Sequence, residues 1–373
     1  MANTAPFRAD HVGSLLRPSY LLEAREDWKA GKIDAARLAE IEDRAVREII
    51  ALQEEVGLKG VTDGEVRRET WHMDYIYRIG GIERSTQKLQ VHFENQGGDL
   101  DFESAALKVG GKLSLPSTIF EQDFLFLRDN VSSGVPKLTI PSPSMVHYRG
   151  GRAAIDEAVY PRLEDFYGDL ARVYAEEIDN LGALGCTYLQ LDDTSLAYLN
   201  DPRQRAMIAN QGGDPESQHE IYIDIINRAV ANKPAGMTIT THLCRGNFRS
   251  SWAASGSYDY VADALFNRLD VDGYFLEFDD DRSGGFEPLR FLPKGHKRVV
   301  LGLVTTKKGA IEDRGEILRR IEAATKFAPL DQLCLSPQCG FSSTKEGNDI
   351  SVAQQRAKLE LVVDVAREVW GDA

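Results

Sequence analysis

Short apolar runs alternate with helical patterns along almost the whole chain, and this rhythm constrains the fold more than any other feature. Eight runs rich in Val, Ile, Leu, Thr and Tyr stand at 9–14, 58–63, 137–142, 187–192, 237–242, 273–278, 298–304 and 332–336. Several are nearly continuous apolar segments, the pattern of strands buried on both faces of a parallel sheet. Between them, apolar residues recur at three- and four-residue steps. Leu38, Ile41, Ala45, Ile49, Leu52 and Val56, stopped by Gly57, form one such helix; 166–181, closed by Gly182, forms another, and 221–230, 258–269, 317–327 and 352–370 follow. Eight strands alternating with helices predict an α/β fold of the (β/α)8 TIM-barrel class, with a doubly wound open sheet as the alternative. A barrel with insertions absorbs all 373 residues as a single domain, 1–373. Segment 84–130 breaks the rhythm. Its period-2 stretches (VHFEN, LKVGGKLSL, FEQDFLFLRDN) and its Gly97-Gly98 pair predict a β-hairpin insertion between the second and third strands.

Composition removes several function classes. Lys plus Arg number 44 against 58 Asp plus Glu, a net charge of −14, so no broad basic field exists to hold nucleic acid. An anionic small molecule held by a few local cations stays open. No run of eighteen apolar residues is present to span a membrane, and the N-terminus lacks a basic stretch followed by an apolar one, so a cytoplasmic protein is expected. Four cysteines, at 186, 244, 334 and 339, argue against a disulfide framework and give weight to metal or thiol chemistry.

In a barrel, the loops after the strands build the active site. The polar residues there are Ser14 and Arg17; Asp63 and Glu65; Ser142 and Ser144; Asp192 and Asp193; His242 and Cys244; Glu277 and Asp279; Thr305, Thr306 and Lys307; and Gln338 and Cys339. Cys and His are the preferred zinc ligands, supplemented by carboxylates. His242 and Cys244 are two residues apart, so an extended backbone turns both to one side. Cys339 sits in SPQCGF, where Gly340 allows a sharp turn. Glu277 lies in an otherwise apolar strand (YFLEFDD), a costly place for a carboxylate that no cation relieves. Each residue has an ordinary structural alternative: a loop cysteine, an arginine-paired glutamate, a hydrogen-bonded histidine. Their common location at the ends of strands five, six and eight sets them apart. Cys186 and Cys334 read as core residues. Among the other histidines, His72 and His147 follow strands two and three and are the remaining site candidates.

These stretches resemble the C-terminal catalytic barrel of cobalamin-independent methionine synthase, and most closely the short, single-barrel branch of that family. The motifs that carry the likeness are HVGSLLRP, VTDGEVRRETW, LQLDD, THLCRGN, YFLEFD, VLGLVTTK and SPQCGF, which span nearly the whole chain. The resemblance implies a Zn2+ site of His242, Cys244, Glu277 and Cys339, a thiol pocket in which Ser14 meets the substrate backbone, and Glu65 and Asp192 as holders of the homocysteine amino group. It implies methyl transfer to homocysteine, giving methionine. The chain departs from the family pattern after strand seven. Val304-Thr305-Thr306-Lys307 replaces a Tyr-Asp-x-His segment whose histidine is the proposed proton donor, and the Arg-Cys-Val-Arg-Pro segment associated with folate is not evident. The donor class is therefore open among a folate, a small molecule and a corrinoid protein. Two other readings stand beside this one: a zinc alkyltransferase joining a thiol such as coenzyme M to an epoxide, and a zinc-free barrel of decarboxylase type. A homo-oligomer is compatible with either enzyme reading.

The mechanism expected from these residues is thiolate attack. A free thiol has a pKa of about 8.5, and a zinc-bound one is deprotonated outright. Glu277 is expected to be the labile ligand. Lys307, or a water held by Asp193, is expected to protonate the leaving group.

Overall fold

The computed structural model describes residues 4–95 and 98–373. Its strands are β1 (Gly60–Val61), β2 (Gly80–Phe93), β3 (Leu100–Ser114), β4 (Val135–Pro141), β5 (Tyr188–Asp193), β6 (Thr238–Leu243), β7 (Gly273–Glu277), β8 (Arg298–Val304) and β9 (Leu333–Pro337). Seven of them form one parallel sheet in the order β1-β4-β5-β6-β7-β8-β9. Every residue of β5, β7 and β9 is buried, which is why those runs carry almost no polar alternation. The result is an α/β fold whose parallel sheet curls so that both of its edges meet one segment near the N-terminus.

That segment is the 9–14 run, and it differs from expectation. Only Ala9 bridges Leu335 of β9, supported by the Asp10 N–H donating to Leu335 O (3.0 Å). On the β1 side, contact is made by the Thr62 hydroxyl donating to Gly13 O (2.7 Å) and by the Leu15 N–H donating to Gly64 O (3.0 Å). Side chains and loop amides replace a strand ladder here because the chain turns at Gly13 (φ 139°). The second run shrinks likewise to the two residues of β1; the remaining six lie within two residues of their predicted bounds.

Helix Ala35–Val56 is capped as its sequence predicts. The Asp34 side chain accepts from the Arg37 N–H, Gly57 ends the helix at φ 92°, and Val46, Ile49, Ile50 and Val56 are buried. Gly182 is a different case. It lies inside helix Leu163–Ala183, where a Cβ would stand 2.3 Å from Pro234 Cγ. Close packing, not termination, requires glycine there.

β2 and β3 form a separate antiparallel sheet, registered from Ile82 opposite Val109 to Phe93 opposite Leu100. Gly97, read as part of the turn, lies outside the described residues. The last part of 84–130 corrects the sequence reading: Glu121–Asn130 is a helix. Phe124 and Leu127, three residues apart, are its buried positions, and Glu121 and Asp123 stand in its first turn, where the helix dipole favours acids. Among the described residues no helix is long and apolar enough to cross a membrane.

Candidate functional site

The ends of β6 and β7 and the turns that follow β6 and β9 bring His242, Cys244, Glu277 and Cys339 together, with one ligand atom from each lying within 4.8 Å of the others. The strand pleat turns His242 and Cys244 to the same side, and Cys244 Sγ lies 3.5 Å from Cys339 Sγ. Gly340 serves this corner by allowing close approach, not by a left-handed turn: a Cβ there would stand 1.9 Å from Ser14 Oγ. All four side chains are buried. Neither ring nitrogen of His242 has a hydrogen-bond partner, an expensive condition inside a protein that a cation would relieve. The hydrogen bond from the Cys244 thiol, with His242 beside it, draws the Cys339 sulfur down to about 5 against the effect of burial. The same hydrogen bond raises Cys244. Glu277 is held from two sides, accepting from the Arg245 N–H (2.7 Å) and from Arg282 Nη2 (2.9 Å). Two soft sulfurs, an imidazole and a carboxylate suit zinc, so the residues fit such an ion.

A cavity of about 250 Å³ opens onto this corner. His242, Cys244 and Cys339 stand in its wall together with Ser14, Glu65 and Asp192. Glu65 has φ 56°, an uncommon conformation for a glutamate. The turn after Gly64 presents its carboxylate inward. Oε1 accepts from the Thr139 hydroxyl (2.7 Å), while Oε2 is buried without a partner. Asp192 accepts from Gln190 Nε2 (2.7 Å). Burial, and then the neighbouring Glu65, push the Asp192 carboxyl up to about 7; burial likewise raises Glu65. Two buried carboxylates facing one cavity make a receptor for a cation that donates hydrogen bonds.

Several cavity residues escaped the sequence reading. Val91 and Phe93 of β2 and Phe102 of β3 form an apolar wall. Phe248, from the loop after β6, packs on it with ring centroids 5.5 Å from Phe93 and 4.4 Å from Phe102. Paired backbone hydrogen bonds between Glu94 and Trp252 (2.7 and 3.0 Å) fasten the β2–β3 sheet to that loop. Arg149 also lines the cavity, and Asn247 ties its own loop to the Cys339 loop by donating to Gly340 O (2.7 Å). The one sequence signal for Arg149 is its place just beyond strand three. Arg282 could have been suspected from the acidic run that precedes it, FDDDR.

Other candidates are placed elsewhere. The Asp193 carboxylate is fully buried and accepts from the hydroxyls of Ser144 and Ser195 and from the Leu196 N–H, so it braces two loops and does not line the cavity. Lys307 lies behind Glu277, its Nζ 4.0 Å from Glu277 Oε2, and faces a different cavity with Trp252 and Asp279. His72 lines the central cavity, stacked on Trp71 with ring centroids 4.5 Å apart. His147 is engaged by the Tyr222 and Tyr167 hydroxyls (3.0 and 3.3 Å) and stays outside that cavity. Cys186 and Cys334 are buried, apart from the corner.

Residues 145–368 match the family model described as the cobalamin-independent synthase catalytic domain. The chain belongs to the cobalamin-independent methionine synthase family. It is accordingly an enzyme of a methyltransferase family. Relatives of the chain include YxjH of Bacillus subtilis, an uncharacterised protein that is 46% identical over 98% of this chain and 95% of its own. The methionine synthase of Pyrococcus abyssi is 26% identical over 88% of this chain and 85% of its own. A Listeria monocytogenes crystal structure, assigned to vitamin-B12 independent methionine synthase, is 40% identical and superposes with a TM-score of 0.78, each chain covered completely.

Proposed function

We propose that this chain is a zinc-dependent S-methyltransferase that converts homocysteine to methionine, with residues 1–373 acting as one (β/α)8 catalytic unit and 84–130 as an insertion in it. The observation that carries this reading is one cavity lined both by sulfur and imidazole ligands and by two buried carboxylates. A substrate with a thiol and an ammonium group matches both sets.

His242, Cys244, Glu277 and Cys339 would hold the zinc, which when bound supplies a low-pKa thiolate at neutral pH. Glu277 would be the ligand least dependent on the ion, because the Arg245 N–H and Arg282 already stabilise its carboxylate. Glu65 and Asp192 receive the ammonium group, and Ser14 meets the substrate backbone. The phenylalanine wall keeps water from the sulfur. The sulfur supplies the electron pair of the new S–C bond. The donor's heteroatom leaves with the pair of the broken bond and takes up a proton, which balances the one lost by the thiol. Lys307 and Asp193 face away from the cavity, so neither is assigned that proton transfer.

Coenzyme M would bring a sulfonate where the cavity presents two carboxylates, which favours homocysteine over the alkyltransferase reading. The unpartnered nitrogens of His242 favour a metal over the zinc-free reading. The test is metal analysis joined to turnover of homocysteine against a donor panel, with coenzyme M plus an epoxide as control. About one zinc per chain and methionine formation are expected. A metal-free protein, or turnover of coenzyme M alone, would overturn the proposal.

A further inference from the structure

One side chain joins β6 to β7 beside the ligand corner. The two strands pair as far as Leu243 opposite Leu276. Just past that pair, the Tyr258 hydroxyl accepts from the Glu277 N–H (2.9 Å) and donates to Leu243 O (3.1 Å). Leu243 stands between His242 and Cys244, so a single oxygen ties the backbone of two candidate ligands to that of a third. Tyr258 precedes helix Asp259–Arg268 and is fully buried. Its ring is held by the residues that follow Cys244 and Glu277. The Arg245 guanidinium lies 4.1 Å from the ring centroid, and Phe278 meets the ring edge-on with centroids 5.6 Å apart. Arg245 is the costly part of this arrangement. It is fully buried, and none of its three side-chain nitrogens has a hydrogen-bond partner among the described residues. An apolar side chain would fill the same space without burying a charge, so the guanidinium is kept for its contact with the aromatic face.

A metal-binding imidazole ordinarily donates its second N–H to a carboxylate or a carbonyl, which orients the ring. His242 has no such partner at either nitrogen. Its orientation is left to the backbone that carries it, and there the Tyr258 hydroxyl acts. We propose that Tyr258, keyed by Arg245, is a positioning residue that sets the spacing of His242 and Cys244 from Glu277 and thereby the affinity of this corner for zinc. The proposal rests on the reading of the corner as a zinc site. Tyr258 does not line the central cavity, so it acts through the two strands it joins. Arg245 contributes twice: its side chain fixes the ring, and its backbone N–H reaches Glu277 Oε1 (2.7 Å) while its carbonyl accepts from the N–H groups of Ala253 and Ala254 (2.9 and 3.1 Å).

The test measures the zinc Kd of the full chain by competition with a chromogenic chelator, and the visible spectrum of the chain loaded with Co2+, which reports ligand geometry. Tyr258→Phe removes only the hydroxyl and keeps the ring under Arg245. Tyr160→Phe is the matched control: that hydroxyl also accepts from a backbone N–H, of Leu113 (2.8 Å), and donates onward, to Asp169 (2.8 Å), but it stands by β3, away from the corner. Tyr258→Phe is expected to weaken zinc binding roughly 10–100-fold and to shift the cobalt bands. Tyr160→Phe is expected to lower the urea midpoint of the metal-free chain and to leave both metal readouts at the wild-type value. Arg245→Met loosens the ring and is expected to weaken zinc binding by roughly tenfold or less; it decides the matter if Tyr258→Phe does not fold. The proposal alone is overturned if zinc binds the wild-type chain and the Tyr258→Phe chain equally with one cobalt spectrum, if Arg245→Met, standing in for an unfolded Tyr258→Phe, keeps the wild-type Kd, or if Tyr160→Phe weakens zinc binding as much as Tyr258→Phe. A wild-type chain that takes up no zinc overturns the zinc reading, and this inference with it.

Discussion

At the sulfur end of the central cavity, His242 presents two ring nitrogens with no hydrogen-bond partner beside a pair of sulfurs 3.5 Å apart. On the carboxylate side, Glu65 presents an unpartnered oxygen beside Asp192, the ladder neighbour of His242. Both ends bury polar atoms whose needs the protein does not meet, yet they differ in kind. Sulfur and imidazole are soft donors suited to a metal ion, while hard carboxylate oxygens with hydrogen-bond capacity to spare suit an ammonium group. The backbone is arranged to match. His242, Glu277 and Asp192 rest on regular strands, whereas Glu65 is presented from a turn at φ 56°. The lesson is that one cavity can carry two sets of donors of unlike chemistry, and each set is open to its own test.

The largest effect is expected at the sulfur end. Cys339→Ala or His242→Ala should lose the metal and lower turnover by about 10³-fold or more, with zinc content measured by elemental analysis on the same samples; a variant that keeps both metal and activity would separate this corner from the chemistry. Next comes the carboxylate end. Glu65→Gln should raise the homocysteine KM by roughly 10–100-fold, the value of a hydrogen bond to a charged group, and leave the zinc content at the wild-type level. An unchanged KM would remove the ammonium from that end.

A pH profile sharpens the contrast further. Burial and then Glu65 raise Asp192 to about 7, so the free cavity takes up a proton as pH falls through that value and loses attraction for an ammonium group. The homocysteine KM should therefore fall as pH rises through about 7, and Asp192→Asn should flatten the profile; a profile identical to wild type would show that Asp192 is not the titrating group. The smallest functional effect is expected at its neighbour. Asp193→Asn weakens loop bracing and should lower stability by about 1–3 kcal/mol in urea unfolding, with the homocysteine KM nearly unchanged. A large rise in that KM instead would place Asp193 in the cavity chemistry.

The contrast between Asp192 and Asp193 also marks where sequence reading runs out. The pair LQLDD put both carboxylates at one strand end, but successive residues of a strand point to opposite faces, so only one enters the cavity. Which one depends on register against β4 and β6, where Asp192 lies opposite Pro141 and His242. His242 and Cys244 were legible because a two-residue spacing keeps them on one side whichever face is chosen. Glu121–Asn130 misled because FEQDFLFL supports both a period of two and a period near 3.6, and burial of Phe124 with Leu127 decides for the helix. The phenylalanine wall could not be read, since nothing local ties Phe93 and Phe102 to Phe248.

By itself the sequence determined the alternation of elements, the polar residues that end each strand, and the family to which those residues point. These are consequences of local periodicity and of a topology that gathers strand ends at one mouth. Only the tertiary structure decided that Lys307 lies behind Glu277, that Asp193 braces loops, that the β2–β3 sheet walls the cavity, and that Arg149 lines it. Each of those depends on register, side-chain direction or loop packing between residues far apart in the chain, and no local pattern encodes such distances.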